Sequence, residues 1–200
     1  MTELIFASKN EGKVREFREF LTPLGITVRS LNELVDVPTI VENGTTFAEN
    51  ALIKARTIAA TFQQPVIADD AGLVVDALNG APGIYSARYA GDHDDQANNT
   101  KLLKELNGVV GDDRSASFYS VIVAVKPNAA PLIATGSVTG RILEEARGDD
   151  GFGYDPLFFY EPMQRSFAEL SASEKNAVSH RGNALRKFMK EFSQWWEEQQ

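Results

Sequence analysis

Cysteine is absent from the 200 residues, so the chain forms neither a disulfide nor a thiolate metal site. With only two histidines, a His-rich metal centre is also disfavoured. The donor left for a metal is carboxylate oxygen, which suits Mg²⁺ or Mn²⁺ rather than structural zinc. Positive charge is in deficit: 20 lysines and arginines face 28 aspartates and glutamates, a net charge of −8. That balance argues against broad binding to nucleic acid or an anionic membrane, because both reward a basic face. No run approaches the roughly 18 apolar residues that a membrane span requires. Met1, Thr2 and Glu3 precede a short apolar stretch without a basic leader or cleavage site, so a soluble, cytoplasmic chain is expected. What is present is apolar material for a core, 43% of the chain, and a single domain over residues 1–200 is expected.

The chain is organised around residues 65–89. Val66, Ile67 and Ala68 read as a buried strand that ends on two consecutive carboxylates, Asp69 and Asp70. Alternation along a strand prevents both from facing one core, and at a strand's end they can converge on a hydrated metal. An Asp-rich turn ahead of Gly72 fits these residues alone equally well.

Other segments supply company. Residues 4–7 read as a strand, residues 8–13 as a polar loop, and residues 14–21 as a helix with Val14, Phe17, Phe20, Leu21 and Leu24 on its buried face. A loop between strand and helix offers backbone N–H groups to a phosphate, although it lacks the Walker A spacing. Residues 26–28 predict a strand and residues 31–34 a short helical turn. Residues 37–44 read as a loop carrying Glu42 ahead of a helix capped by Thr46 and Glu49, on which Asn50 and Lys54 share a face. Leu73, Val74 and Val75 predict a second short strand, residues 79–83 a turn, and residues 96–106 a helix. His93 falls in an acidic loop and reads as exposed rather than functional. Residues 115–125 and 132–143 predict two long antiparallel strands forming a lobe of their own. In the glycine-rich loop 148–156, Phe152 and Tyr154 offer flat faces on which a base can stack. Lys175, His180 and Arg181 lie before a final helix over residues 184–196, and Arg181, near that helix's N-terminus, opposes the dipole there unless an anion compensates.

Together these segments resemble the inosine triphosphate pyrophosphatase family, the nucleotide pyrophosphatases that hydrolyse dITP, ITP and XTP. The matching pieces are Ser8, Lys9 and Asn10 with Gly12 and Lys13; Glu42 with Gly44; Thr46, Phe47, Glu49, Asn50 and Ala51; Ala68, Asp69 and Asp70 with Gly72 and Leu73; APGIYSARY over residues 81–89; GFGYDP over 151–156; and Glu174 and Lys175 followed by SHRG over 179–182. They run in family order over nearly the whole chain. The resemblance implies an α/β fold, a long mixed central sheet flanked by helices with two lobes enclosing a nucleotide cleft, usually as a homodimer. It implies that Ser8, Lys9, Asn10, Glu11, Gly12 and Lys13 hold phosphates, that Glu42 and Asp70 carry Mg²⁺, and that Asp70 accepts a proton. Phe152, Gly153, Tyr154, Asp155, Lys175, His180 and Arg181 complete the nucleotide site. Two positions depart from many relatives: Ala71 stands where a serine is common, leaving only backbone there, and Val41 stands where some carry a second acid.

The expected chemistry is hydrolysis between the α and β phosphates. Asp70, assisted by Asp69 or Glu42, activates water, while Lys13 and Lys54 stabilise the leaving pyrophosphate. His180 and Arg181 are the candidate donors to a purine O6. Two other readings are a Maf-type pyrophosphatase and a catalytically silent nucleotide-binding regulator. A haloacid-type phosphatase is disfavoured because the acids form D-D rather than D-x-D.

Overall fold

The computed structural model describes residues 2–91, 94–127 and 129–197. The reading of His93 falls outside them. The elements are β1 (Thr2–Phe6), α1 (Glu11–Leu21), β2 (Ile26–Ser30), α2 (Phe47–Phe62), β3 (Val66–Val75), α3 (Asp95–Glu105), β4 (Ser115–Val125), β5 (Leu132–Ile142), β6 (Phe158–Tyr160), β7 (Arg165–Ser166), α4 (Ala172–Val178) and α5 (His180–Glu197). Short 3₁₀ turns join several of them. The seven strands form one mixed sheet in the order β2-β1-β3-β4-β5-β6-β7. β1 runs parallel to β2 and β3, whereas β6 runs antiparallel to β5 and β7. The connection between β4 and β5 is too short for a parallel crossover, and the contact of Ser117 Oγ with Thr139 Oγ1 at 3.0 Å fits an antiparallel hairpin. The chain is therefore the α/β class expected, with a mixed sheet and flanking helices.

Two compact units divide the chain: Met1–Asp70, Val121–Thr135 and Leu185–Gln200 in the first, Ala71–Ser120 and Gly136–Ala184 in the second. β4 and β5 thus do not form a lobe of their own, since each passes from one unit to the other. In the first unit Leu4, Ile5 and Phe6 are all fully buried, as are Val66, Ile67 and Ala68. Unbroken apolar runs of this kind mark strands covered on both faces. Ile5, Ala7, Val66 and Ala68 pack with Ala51, Ala55 and Ile58 of α2 and with Val121, Val123 and Val125. Phe6, Phe17 and Phe188 form a chain of rings, with centroids 4.3 and 6.3 Å apart. Lys126 Nζ donates to the carbonyls of Trp195 and Trp196 in the last described turn of α5.

The second unit packs Leu73, Val75, Leu102, Leu106, Phe118, Ile142, Leu157, Phe158 and Phe167 together. Within this core Arg114 is buried, and its guanidinium donates to four main-chain carbonyls, those of Leu106, Val109, Ile142 and Leu143. Burial pulls its pKa below the ordinary arginine value.

Several local expectations change. α1 begins at Glu11 because Asn10 Oδ1 accepts from Lys13 N at 3.2 Å, so Lys13 lies in the first helical turn rather than in the loop. Phe20 and Leu24 are 45% and 49% exposed rather than buried. At 3.6 residues per turn Phe20 sits roughly 120° from Val14, outside the buried stripe, and Leu24 lies beyond the helix in the 3₁₀ turn Thr22–Leu24. The expected break after Asp70 is absent: β3 continues to Val75, held by Leu73 N to Ser86 Oγ and Val75 N to Ala81 O. α4 adds a helix that the periodicity does not predict. Ser171 and Glu174 cap it reciprocally, with Glu174 N to Ser171 Oγ and Ser171 N to Glu174 Oε2. α5 starts at His180, ahead of the expected Ala184.

Candidate active site

In the first unit, the backbone leaving β1 turns sharply through Ser8, whose Oγ accepts from Asn10 N at 3.1 Å. Asn10 then caps α1, whose first turn carries Gly12 and Lys13. Lys9 is exposed, and its carbonyl accepts from Asn32 Nδ2. Glu11 Oε1 accepts from Ser30 Oγ at 3.0 Å and Asn32 Nδ2 at 2.7 Å. Its carboxylate therefore braces the loop. The anion-attracting groups at this end are the backbone N–H groups of the helix N-terminus and the Lys9 ammonium.

The two aspartates of β3 each meet a different lysine, as alternation along a strand requires. Asp69, with its side chain 3% exposed, accepts from Lys13 Nζ at 2.7 Å. Lys54 reaches across from α2 with its Nζ 2.9 Å from Glu42 Oε2 and 3.4 Å from Asp70 Oδ1. Glu42 and Asp70 thus converge on one cation. Burial alone would pull the Lys54 pKa down, but the charges of Asp70, Asp69 and Glu42 outweigh it and raise it above the ordinary lysine value. Burial pushes the Asp70 carboxyl above the usual aspartate range; Lys54 opposes this, and the negative charges of Glu42 and Asp69 add to it. Asp70 Oδ2 is buried and makes no hydrogen bond of ordinary geometry among the described residues, while the Asn50 side chain lies near enough to favour the carboxylate's charge as a donor.

Whether these residues suit a divalent ion follows from that oxygen. Mg²⁺ keeps several waters and needs only one or two protein carboxylates beside substrate phosphates. Two acids aimed at one point, with a buried oxygen short of ordinary hydrogen bonds, fit that demand. No group of three or more His, Cys, Asp or Glu gathers as a metal cage among the described residues. The two carboxylates can hold a hydrated ion, to which substrate phosphates add further ligands.

In the second unit the loop 148–156 is folded onto Asp155, which is 2% exposed. Asp155 Oδ2 accepts from Phe152 N at 2.9 Å and pairs closely with Lys175 Nζ. A side chain at Gly151 would place its Cβ 2.3 Å from Asp155 Oδ2, so only glycine lets the loop close this far. α3 ties down the loop's middle: Asp95 Oδ2 accepts from Gly153 N, and Asn99 Nδ2 donates to Gly153 O. Phe152 is left 52% exposed, with Lys175 Nζ 4.5 Å and Arg181 Cζ 5.3 Å from its ring centroid. His180 stacks on Phe118 at 4.7 Å. Tyr154 corrects the expectation of a second stacking face. It is 4% exposed in the core, its hydroxyl donating to Ser86 O at 2.8 Å.

Residues 4–191 match the model of the Ham1 family. The chain belongs to the Ham1 family. It is 51% identical over 193 residues to the dITP/XTP pyrophosphatase of Lactiplantibacillus plantarum, covering 96% of each chain. It is 53% identical over 196 residues to the dITP/XTP pyrophosphatase of Leuconostoc mesenteroides, covering 96% of this chain and 98% of that one. Among solved structures, a HAM1 protein from Coxiella burnetii superposes with a TM-score of 0.91 at 45% identity, covering 97% of this chain and 100% of that chain.

In this Ham1 chain the first unit gathers Lys13 with Asp69, and Glu42, Lys54 and Asp70 with one another. The second gathers Phe152, Asp155, Lys175 and Arg181. Gly153 contributes backbone groups already engaged by α3, and Ala71, half-buried in β3, has no polar side chain to offer. Sequence reasoning missed two supports: Asp95 and Asn99 under the glycine-rich loop, and Ser86 under Tyr154 and β3. Asn50 was legible as sharing a helix face with Lys54, but not its bond to Gly44 N beside Glu42.

Proposed function

We propose that this chain hydrolyses the deaminated purine nucleoside triphosphates dITP, ITP and XTP to the monophosphate and pyrophosphate, with Mg²⁺ held by Glu42 and Asp70. The convergence of these two carboxylates on Lys54, with Asp70 Oδ2 making no ordinary hydrogen bond among the described residues, carries the reading. Family membership and the names of the relatives support the substrate class. When bound, Mg²⁺ would neutralise phosphate charge and polarise the phosphorus toward attack.

The residues divide the remaining work. Asp70 is the base, because its raised pKa and an Oδ2 short of ordinary hydrogen bonds suit it to receive a proton. Asp69 is instead engaged with Lys13 and fixes that ammonium. Water oxygen attacks the α-phosphorus as its proton passes to Asp70. The bond from that phosphorus to the bridging oxygen breaks, and pyrophosphate leaves against the positive charge of Lys13 and Lys54. Ser8, Asn10 and the N-terminus of α1 favour phosphate oxygens. For the base we assign Phe152 as a stacking face and His180 and Arg181 as donors to O6, which leaves an adenine amino group badly matched. A homodimer and a cytoplasmic location belong to the same proposal and rest on the family resemblance.

Pyrophosphate release from ITP, XTP, dITP, ATP and GTP, with and without Mg²⁺, tests the reading. Rapid release from the first three, lost in EDTA, is expected. Release of inorganic phosphate alone, or equal rates on ATP and ITP, would contradict it.

A further inference from the structure

Asn50 is 0% exposed on α2, one turn before Lys54, and its two polar atoms have unequal fates. Oδ1 accepts from Gly44 N at 2.9 Å, two residues along the chain from Glu42. Nδ2 and Asp70 Oδ2 are both buried, and neither makes a hydrogen bond of ordinary geometry among the described residues. The two side chains lie close enough for the amide to act as a donor that favours the charge of Asp70, so each is a partner for the other.

The fit around Asn50 is close. A Cβ at Gly44 would come within 2.7 Å of both Asn50 Oδ1 and Glu49 Cβ, so the loop lies directly on the helix with no room for a side chain between them. Neighbouring bonds press it the same way: Glu49 Oε2 accepts from Thr45 N at 2.6 Å, and Thr46 Oγ1 accepts from Glu49 N at 3.1 Å. The segment bearing Glu42 is thus seated on the first two turns of α2, with Asn50 as its buried anchor.

We propose that Asn50 is the positioning residue of the carboxylate pair: Oδ1 fixes the Glu42 segment through Gly44 while Nδ2 steadies Asp70, so that one amide sets the spacing at which both acids receive a divalent cation. The proposal rests on the metal-holding role given to Glu42 and Asp70 above. Groups that orient metal-binding side chains from behind are worth about 10–100-fold in metal affinity or activity when removed.

The test is Mn²⁺ binding to the full-length, nucleotide-free protein, followed by the electron paramagnetic resonance signal of free Mn²⁺. Glu42→Gln serves as the reference for loss of a carboxylate, and Asn98→Ala on α3, where Asn98 Oδ1 accepts from Ala90 N and Gly91 N, as a buried hydrogen-bonding change elsewhere. Asn50→Ala is expected to weaken Mn²⁺ binding about 10–100-fold while Asn98→Ala leaves it unchanged. Gly44→Ala, which disturbs the same contact with Asn50 intact, is expected to weaken it as well and stands in should Asn50→Ala not fold. Wild-type Mn²⁺ affinity in Asn50→Ala or in Gly44→Ala, alongside loss in Glu42→Gln, overturns the proposal and leaves the metal site standing. Wild-type affinity in Glu42→Gln removes the metal reading itself and this inference with it.

Discussion

Replacing Lys54 with methionine keeps most of the length of the side chain and removes its charge from between two acids. The side chain is 14% exposed, and its Nζ lies 2.9 Å from Glu42 and 3.4 Å from Asp70. Breaking a buried ion pair by deleting one partner costs about 3–5 kcal/mol, because the other charge is left uncompensated. Glu42 is 31% exposed and water screens part of its charge, so we expect about 2–3 kcal/mol here. For a chain of this size that lowers Tm by roughly 4–12 °C. The loss has a pH signature with a definite sign. The Asp70 pKa already lies above its ordinary 3.8, so the folded state binds more protons than the unfolded one just above that value and its stability falls as pH rises through the window. Without Lys54 the window extends to higher pH. The variant should be further below wild type at pH 8 than at pH 5, and Mg²⁺ should raise its Tm more than it raises that of the wild type. Thermal melts at both pH values, with and without Mg²⁺, measure this. A Tm within about 1 °C of wild type at pH 8 would refute the claim that Lys54 balances the pair.

Asp70→Asn should leave the circular dichroism spectrum unchanged and reduce turnover by about 10²–10⁴-fold, the contribution of a positioned base; near-wild-type turnover in saturating Mg²⁺ would reject Asp70 as base. Arg114→Met strips donors from four buried carbonyls, and even after the relief of desolvating no guanidinium it should destabilise the fold by about 3 kcal/mol in urea denaturation. A loss below about 1 kcal/mol would show that water replaces those bonds. Arg165 and Ser171 hold the Glu174 pKa down at about 2, so its contribution to stability is present above 4.5 and is lost as pH falls toward 2. Glu174→Gln should therefore melt below wild type at pH 6 and converge with it near pH 2; parallel curves would count against the pairing.

The legibility of this chain in its sequence varies with the range of the interaction. Residues 4–7 and 66–68 read as strands because burial on both faces demands an unbroken apolar run. The helix over Phe47–Phe62 was legible from its Thr46 cap and alanine stripe. Where a polar side chain overrode the apolar pattern, the reading slipped. Asn10 starts α1 before its first apolar residue, and Ser171 with Glu174 starts a helix that has no fully buried side chain to announce it. β3 carries two aspartates through its middle because Lys13 and Lys54 neutralise them, and those lysines come from two other elements, α1 and α2.

The order of residue types along the chain was enough to indicate the α/β class and the family, and to nominate charged groups for the candidate site. It could not indicate how those charges pair. Lys13 takes Asp69, Lys54 takes Glu42 and Asp70, Arg114 reaches carbonyls 28 and 29 residues away, and Tyr154 turns into the core while Phe152 turns out. Apolar patterning repeats with the local period of a helix or strand and is written in neighbouring residues. A charge pair depends on where two distant backbones stop, and that is fixed only when the sheet has formed and the core has closed around it.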